Sequence, residues 1–301
     1  MQENFNKNRR NQNNIEKPKN LKQALTAALS PEELGHLISS FDIVGEIAII
    51  EIPKELEKKQ KIIAQALMQV QKNVKTVCKK LSGRKGRYRL QKVKVIAGKK
   101  STETIHKESG CMFNLDITKA FFSPRLSGER QRIAKQIKEG EIVGVFFAGI
   151  GPYPIVFAKH SQMKKAFAIE LNKNAVRLLK ENLKLNKVTD KIEVFFGNVK
   201  KLVKKIAGKC DRIVMPMPKG GEDFLKQAFI AAKKEAIIHF YHFVERENGF
   251  SEAIERIKKA CKKNRVECSI LNKRRVIDFS ASKIEAVIDF SIKKAKQQKF
   301  K

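Results

Sequence analysis

The sequence predicts an α/β fold in which a doubly wound, mostly parallel sheet follows a smaller N-terminal α/β domain. From about residue 140 onward, apolar runs that suit buried strands alternate with helical stretches. The first run, Ile142–Phe147, leads into Gly149-Ile-Gly151, and the next, Ala166–Ile169, ends on Glu170. Glycines after one strand and a carboxylate after the next are typical of an open α/β sheet that holds a nucleoside.

The glycine turn also favours one class of nucleoside. A dinucleotide fold would have a third glycine at position 154, where this chain has Pro154. S-adenosylmethionine has no pyrophosphate and therefore fits this turn better than a dinucleotide does. The alternative is a tight βα turn that happens to precede an acidic residue.

The chain before residue 120 is predicted to form a basic tail and a small domain. Residues 1–19 contain almost no apolar side chains, which predicts a mobile segment. Residues 20–119 are predicted to form the small domain, with Ser30 capping a helix that begins near Pro31. Its predicted helices are Leu21–Leu29, Glu32–Ser39 and Lys54–Lys80, and its predicted strands are Ile43–Ile52, Gly86–Ala97 and Cys111–Ile117.

Residues 120–301 are predicted to form the doubly wound domain. Besides the strands around the glycine turn, strands are predicted at Ile192–Phe196, Arg212–Met215, Ala236–Tyr241, Val266–Leu271 and Ile284–Ile292. Helices are predicted at Ser127–Gln136, from the cap Asn172 to Leu185, at Glu222–Lys233 and at Ser251–Lys263. The last two strands are close enough in sequence to predict an antiparallel hairpin at the sheet edge.

The composition points to a polyanionic partner. The net charge is +33 over 301 residues, and such self-repulsion is usually tolerated because the protein binds nucleic acid. A lysine-rich proteome or a merely solvated face is the alternative. No apolar run approaches a membrane span, and the polar N-terminus is not a secretory signal. Five scattered cysteines without a CxxC pair predict reduced thiols in the cytoplasm and no metal site.

Five motifs occur in order between residues 122 and 219. They are Phe122-Ser-Pro-Arg-Leu-Ser-Gly-Glu-Arg, Phe147-Ala-Gly-Ile-Gly-Pro-Tyr, Glu170-Leu-Asn, Glu181-Asn-Leu-Lys-Leu-Asn and Met215-Pro-Met-Pro-Lys. Together they resemble the archaeal and eukaryotic tRNA (guanine-N1) methyltransferases that modify the guanosine 3′ of the anticodon, position 37. The resemblance implies a Rossmann-like class I methyltransferase fold, S-adenosylmethionine as cofactor and the tRNA anticodon stem-loop as partner. It also implies a cytoplasmic enzyme, which we expect to be a monomer.

Two other functions stay open. A sister family transfers an aminocarboxypropyl group from the same cofactor in wyosine synthesis. Its members have different residue pairs at Pro124-Arg125, Pro152-Tyr153 and Pro216-Met217, and all three places favour the methyltransferase branch. A non-catalytic RNA-binding relative is the other alternative. It is supported by Pro216 and Val145, which stand where an asparagine and an aspartate are usual.

The resemblance implies two catalytic residues. Glu129 would take the proton from guanine N1, and Arg89, in Gly86-Arg-Tyr-Arg-Leu, would stabilise negative charge on O6. From the residues alone, Glu129 is interpreted as a surface carboxylate in the first turn of a helix. Arg89 is interpreted as a solvated strand residue or a phosphate contact.

The resemblance also assigns binding residues. The cofactor residues would be Phe147, Gly149, Gly151, Glu170, Leu171, Asn198, Val199, Pro216 and Pro218. Asn198 stands where aspartate is common, but its carbonyl oxygen can still accept from the adenine amino group. The tRNA-binding residues would be Arg125, Arg130, Lys273, Arg274 and Arg275. Relatives often begin with a domain that grips the outer corner of tRNA, and we expect that domain to be absent here.

Overall fold

The computed structural model describes residues 18–84, 86–247 and 249–294, which form two compact units. The first unit comprises the described residues up to Leu81 together with Val93–Ser101. The second comprises Ser82–Lys92 and the chain from Thr102 onward. This division differs from the predicted boundary at residue 119. Residues 1–17 of the predicted tail lie outside the described chain.

The first unit is a four-stranded sheet with helices packed against it. Its strands, in spatial order, are β1 (Phe41–Val44), β2 (Ile47–Ile50), β3 (Thr76–Lys80) and β4 (Val93–Gly98), and only the β2–β3 pair is parallel. Its helices are α1 (Leu21–Ala24), α2 (Pro31–His36) and α3 (Gln60–Val70). Ser30 caps α2 through a capping box with Glu33, as the sequence predicts.

Three elements of this unit differ from prediction. The predicted strand Ile43–Ile52 is the β1–β2 hairpin, because the chain turns at Gly45, whose φ is +57°. The predicted helix Lys54–Lys80 is a 3-10 turn followed by α3, and β3 begins six residues after Val70. The predicted strand Gly86–Ala97 begins as a turn, and its regular ladder is Val93–Gly98, which pairs with β3.

The second unit is built on a seven-stranded sheet in the order β12-β13-β11-β10-β7-β8-β9. In chain order its elements are β5 (Glu103–Glu108), β6 (Cys111–Asp116), α4 (Ser127–Ala134), β7 (Ile142–Phe146), α5 (Pro152–His160), β8 (Lys165–Glu170), α6 (Lys173–Leu185), β9 (Ile192–Phe196), α7 (Val199–Leu202), β10 (Cys210–Met215), α8 (Leu225–Ala231), β11 (Ala232–Glu245), α9 (Ser251–Lys263), β12 (Val266–Asp278) and β13 (Lys283–Lys294). β7 to β11 pair in parallel, which confirms the doubly wound, mostly parallel sheet.

The strand order of this sheet reverses at β7. From β7 the chain proceeds to β8 and β9 on one side and then returns to β10 and β11 on the other. Ligands of open α/β sheets bind outside the carboxyl ends of the strands at such a point. The glycine turn after β7 therefore lies at the place where a ligand crevice is expected.

The β5–β6 hairpin belongs to the second unit, and two asparagines bind its backbone: Asn182 of α6 and Asn186, which caps the end of that helix. Asn182 and Asn186 accept hydrogen bonds from the backbone N–H groups of Asn114 and Met112 at 2.7 and 2.9 Å. Their amide nitrogens donate back to the carbonyls of the same residues at 3.1 and 2.6 Å. The hairpin, with β5 at Glu103–Glu108, therefore lies outside the first unit, although the sequence places Cys111–Ile117 in the small domain.

The C-terminal hairpin is antiparallel, as predicted, with β12 at the sheet edge. Its strands are longer than predicted, because Lys273, Arg274 and Arg275 pair with β13 instead of forming the connection between the strands. In the part of the chain that the structure describes, no helix is long and apolar enough to cross a bilayer.

Candidate functional site

The turn after β7 lies at the carboxyl ends of the strands, and three of its residues have left-handed backbone conformations. Phe147, Gly149 and Gly151 all have positive φ, at +57°, +58° and +92°. Phe147 holds this conformation with its ring packed edge-on against Phe224, 4.9 Å between centroids. Gly151 is the N-cap of α5, and a Cβ there would lie 2.2 Å from Leu179 Cδ1. Only glycine fits that position, because any side chain would collide with a buried leucine of α6.

Glu170 joins the ends of β7 and β8. Its carboxylate accepts backbone hydrogen bonds from Gly149 at 2.8 Å, Leu171 at 2.8 Å and Asn172 at 2.7 Å. Burial raises the pKa of Glu170, and these three N–H groups offset part of that rise. The glycine turn and the predicted ribose carboxylate are thus parts of one rigid arrangement.

This arrangement fits a nucleoside. Gly149 has open space where a side chain would stand, its nearest neighbour being Phe121 O at 3.7 Å from a Cβ. Glu170 accepts three hydrogen bonds of the roughly four that a carboxylate can accept, which leaves capacity for a sugar hydroxyl. Backbone and carboxylate therefore suit the ribose of S-adenosylmethionine, which Gly149 and Glu170 would hold.

Gly151→Ala is expected to lower the free energy of unfolding by about 2–4 kcal/mol, through the left-handed conformation and the collision with Leu179. The matched control is Gly208→Ala. Gly208 has φ +66° with nothing within 4 Å of a Cβ, so only the conformational cost of about 1–2 kcal/mol applies. Denaturant unfolding measures both, and equal losses would contradict the packing account of Gly151.

The other predicted cofactor residues surround the same strand ends. Asn198 caps α7 by accepting from the backbone N–H of Lys200 at 2.9 Å, so its carbonyl oxygen already has one donor. Val199 is buried behind it, and Leu171 is half-buried beside Glu170. Pro216 is half-buried directly after β10, whereas Pro218 is buried and accepts from the backbone N–H of Phe243. These positions are compatible with the predicted roles, which stay predictions.

Glu129, the predicted base, lies buried in α4 and is held by two side chains. Arg132 donates to both of its oxygens, from Nε at 2.8 Å and from Nη2 at 2.8 Å. Tyr241 donates its hydroxyl to Oε1 at 2.7 Å, and Tyr153 of α5 donates to the Tyr241 hydroxyl at 3.2 Å. Glu129 is therefore connected, through two tyrosines, to the helix that follows the glycine turn.

Arg132 extends this network to β13. It donates to both oxygens of Asp289, at 2.6 and 3.2 Å, and Asp289 also contacts His239 Nδ1 at 2.6 Å. Arg212 can only donate, so its 2.8 Å contact makes His239 Nε2 the acceptor and leaves the His239 proton on Nδ1. Burial lowers the pKa of His239, consistent with a neutral ring. His239 is completely buried, which suits a structural role.

Asp289 is the carboxylate that both Arg132 and His239 contact in this network. Burial alone would raise the pKa of Asp289, but hydrogen bonds from His239 and Arg132 hold it well below its usual range. Arg132 is thus clamped between two carboxylates, and its pKa is raised despite burial by its bonds to Glu129 and Asp289. The clamp fixes the position of Glu129.

Arg89, the predicted partner of O6, lies in the turn before β4 with φ +54°. Its guanidinium carbon stands 4.4 Å from the centroid of the Phe121 ring, and that of Arg84 stands 4.5 Å from the same centroid. Burial lowers the pKa of Arg89, and the nearby Glu285 raises it. The Phe121 carbonyl that faces Gly149 connects this pair to the glycine turn.

The structure corrects the role predicted for Arg130. The resemblance predicts that Arg130 binds tRNA, but its side chain is only 1% exposed and forms a bidentate ion pair with Glu108 at 2.6 and 2.5 Å. It also donates to Ser123 O at 3.1 Å. Neighbouring positions of a helix point in different directions, so Arg130 faces the β5–β6 hairpin while Glu129 faces β11.

The remaining predicted tRNA-binding residues are exposed. Arg125 lies on the 3-10 turn Pro124–Leu126, and Lys273, Arg274 and Arg275 lie on the edge strand β12. Arg275 also pairs with Asp278. Their exposure agrees with the predicted phosphate contacts, which stay a prediction.

Sequence reasoning missed Arg132, Tyr241 and Asp289. The spacing of Arg132 from Glu129 was a usable signal, because residues three apart on a helix can pair. The other two come from β11 and β13, and no local pattern connects them to Glu129.

Fold and site together define a class I methyltransferase: a doubly wound sheet with a glycine turn after its first strand, a carboxylate ending the second and a buried carboxylate beside them. Residues 104–271 match the family model of the TRM5/TYW2 methyltransferase domain, and residues 21–102 match that of the TYW2 N-terminal domain. The chain belongs to the TRM5/TYW2 methyltransferase family.

Individual relatives cover most of the chain. It is 39% identical to the tRNA (guanine(37)-N(1))-methyltransferase Trm5b of Pyrococcus abyssi, over 87% of this chain and 78% of that protein. It resembles the solved complex of aTrm5 and tRNALeu with a TM-score of 0.81 at 33% identity, over 92% of this chain and 79% of the other. It is also 35% identical, over 68% of this chain and 80% of the relative, to the tRNA(Phe) (4-demethylwyosine(37)-C(7)) aminocarboxypropyltransferase of Methanocaldococcus jannaschii.

Proposed function

We propose that this chain transfers a methyl group from S-adenosylmethionine to N1 of guanosine 37 in tRNA. The observation that carries the proposal is that a buried carboxylate and a half-buried arginine are each linked to the region of the glycine turn by intervening aromatic residues. Glu129 reaches it through Tyr241 and Tyr153, and Arg89 reaches it through Phe121. A relative with this activity is 39% identical over most of the chain, which supports the same assignment.

The reaction needs both a base, Glu129, and a cation, Arg89. N1 of guanine carries a proton and becomes a good nucleophile only when that proton leaves. Glu129 would accept the proton, a contribution of about 10²–10⁴ in rate. Arg89 would stabilise the negative charge that then builds on O6, and its partial burial strengthens that interaction. Bound S-adenosylmethionine supplies the methyl group.

The tRNA is proposed to bind through its anticodon stem-loop. The net charge of +33 supports a polyanionic partner, and the exposed Arg125, Lys273, Arg274 and Arg275 are suited to phosphate contacts. Such contacts would give affinity without base specificity. We propose that the enzyme works in the cytoplasm, in keeping with its free cysteines. We also propose that it is a monomer.

An assay with donor labelled in its methyl group tests the proposal. Unmodified tRNA transcripts with guanosine at position 37 should become labelled, and transcripts with adenosine there should not. Label in both transcripts would contradict the proposed site, and label in neither would contradict methyl transfer.

The aminocarboxypropyl transfer is a second candidate, favoured by the 35% identity to a protein of that activity. Pro152-Tyr153 and Pro216-Met217 argue for the methyltransferase branch. Donor labelled in the aminocarboxypropyl carbons distinguishes the two, because only the second reaction moves those carbons to tRNA. A non-catalytic relative would bind tRNA and transfer neither label.

A further inference from the structure

The turn between β12 and β13 presents an exposed aromatic ring. Phe279 is 57% exposed, and its ring packs on that of Phe243, with 4.3 Å between the centroids and 41° between the planes. Phe243 is half-buried in β11, so it covers one side of the Phe279 ring and leaves the rest to solvent. Single exposed apolar side chains are common on proteins, but this one is held in place and lies beside the proposed site.

Arg246 holds the turn that carries Phe279. Its guanidinium donates to the carbonyl of Ala281 at 3.0 Å and to the carboxylate of Asp278 at 2.8 Å. The backbone N–H of Phe279 itself donates to the carbonyl of Lys283 at 3.0 Å. A ring whose position is fixed in advance loses little entropy when a ligand stacks on it, so the turn presents a preorganised surface.

The Phe243–Phe279 pair lies beside the predicted cofactor residue Pro218. Phe243 donates its backbone N–H to the carbonyl of Pro218 at 3.3 Å. It also stands two residues after Tyr241 in β11, so its side chain is on the same face of the sheet as the tyrosine that binds Glu129. The separation along the strand is about 7 Å. The aromatic pair therefore continues this face outward from the proposed reaction site.

The segment around Phe279 is positively charged. Residues 273–283 contain one acid, Asp278, and four cations: Lys273, Arg274, Arg275 and Lys283. Glu245 of β11 pairs with Lys283 at 3.0 Å, so the cations exceed the acids here by two, four against two. A surplus of exposed cations suits the phosphates of a nucleic acid.

An exposed aromatic ring among cations is a common means of binding unpaired RNA. The bases stack on the ring, and the cations contact the phosphates. One ring offers too little apolar area for a stable protein interface, because such interfaces bury about 1,200–2,000 Å² in total. The anticodon loop around guanosine 37 is the unpaired part of the proposed substrate, so it is the partner that this surface fits.

We propose that Phe279 stacks on the base of a nucleotide next to guanosine 37 in the anticodon loop. This inference rests on the proposed function and names a contact that holds the loop while guanosine 37 reacts. Glu129 is assigned to the target base, so a neighbouring base is left for Phe279. Every base has a flat face, so this contact gives affinity without selecting a sequence.

The test measures the dissociation constant for tRNA and the single-turnover rate of methyl transfer separately. Phe279→Ala should raise the dissociation constant about 5- to 100-fold, the effect of losing one base–aromatic stack. The rate with saturating tRNA and the affinity for S-adenosylhomocysteine should change little, because Phe279 would contact a neighbouring base and not the reacting one. Phe279→Tyr keeps an aromatic face and should bind tRNA like the unmodified protein, whereas Phe279→Leu should lose most of the gain.

Transcripts that lack one base identify the stacked partner. Removal of the base before or after guanosine 37 should, at one of these two positions, weaken binding to the unmodified protein. On that transcript Phe279→Ala should bind as well as the unmodified protein does. The control variant is Leu271→Ala, which removes a side chain of β12 that is 55% exposed and should leave tRNA binding unchanged.

Binding of S-adenosylhomocysteine checks that each variant is folded, and if Phe279→Ala fails that check, Phe279→Leu and Phe279→Tyr decide. Unchanged tRNA affinity in a folded Phe279→Ala or Phe279→Leu variant overturns the inference while methyl transfer stands. A loss of affinity that persists in full on both transcripts that lack a base overturns it too. Self-association that Phe279→Ala abolishes, with tRNA affinity unchanged, would assign the ring to a protein interface instead. No methyl transfer to any transcript by the unmodified protein overturns the proposed function, and the inference with it.

Discussion

Glu129→Gln is expected to lower the single-turnover rate of methyl transfer by about 10²- to 10⁴-fold, with cofactor binding nearly unchanged. Glutamine has almost the same shape but cannot accept the N1 proton. Glu129 is linked to the helix after the glycine turn only through the hydroxyls of Tyr241 and Tyr153 among the described hydrogen bonds. It makes no described hydrogen bond with Glu170 or Gly149, so the cofactor crevice should stay intact. Rapid-quench kinetics with saturating donor and tRNA measure the chemical step.

A control separates proton transfer from positioning. Glu129→Gln also weakens the clamp on Arg132, and Asp289→Asn weakens the same clamp from its other side. If Glu129 takes the proton, Asp289→Asn should cost far less in the single-turnover rate than Glu129→Gln. Equal losses would assign Glu129 a positioning role, and an unchanged rate in Glu129→Gln would contradict its role as base.

Arg130→Ala is expected to have the largest effect on stability, about 3–5 kcal/mol, because it leaves Glu108 buried without its cation. Burial would raise the pKa of Glu108, but hydrogen bonds from His106 and Arg130 hold it below its usual value. The ion pair therefore stabilises the fold above the ordinary pKa of Glu108, 4.5, and that contribution disappears as the pH falls through the lower folded value. The loss caused by Arg130→Ala should accordingly shrink in acid.

Denaturant unfolding at pH 7 and pH 4 measures this loss. The matched control is the double variant Arg130→Met with Glu108→Gln, which removes both charges and keeps similar volumes. It should recover a large part of the stability, since a buried ion pair replaced as a whole costs little. A single variant as stable as the unmodified protein would contradict the account of Arg130 as a structural residue.

The parts of the site that the sequence predicts lie in contiguous motifs. The glycine turn, Glu170 and Glu129 each stand at a fixed offset from a strand end or a helix start, so local pattern is sufficient to find them. The same local view misassigned Arg130, whose neighbour in sequence is Glu129 but whose contacts lie on the opposite side of α4.

The rest depends on distant parts of the chain. Asp289 is 157 positions from Arg132, and Tyr241 is 112 positions from Glu129. Strand β3 was missed for another reason: only four of its residues are buried in succession, and the lysines around it imitate the polar face of a helix.

The central claim is that this chain methylates N1 of guanosine 37, and the most direct measurement is mass spectrometry of nucleosides from tRNA treated with enzyme and S-adenosylmethionine. The account predicts 1-methylguanosine in the fragment that contains position 37, formed with an unmodified guanosine transcript and absent when that base is adenosine. Guanosine that stays unmodified, a methyl group elsewhere in the tRNA, or an aminocarboxypropyl group on the base would contradict it.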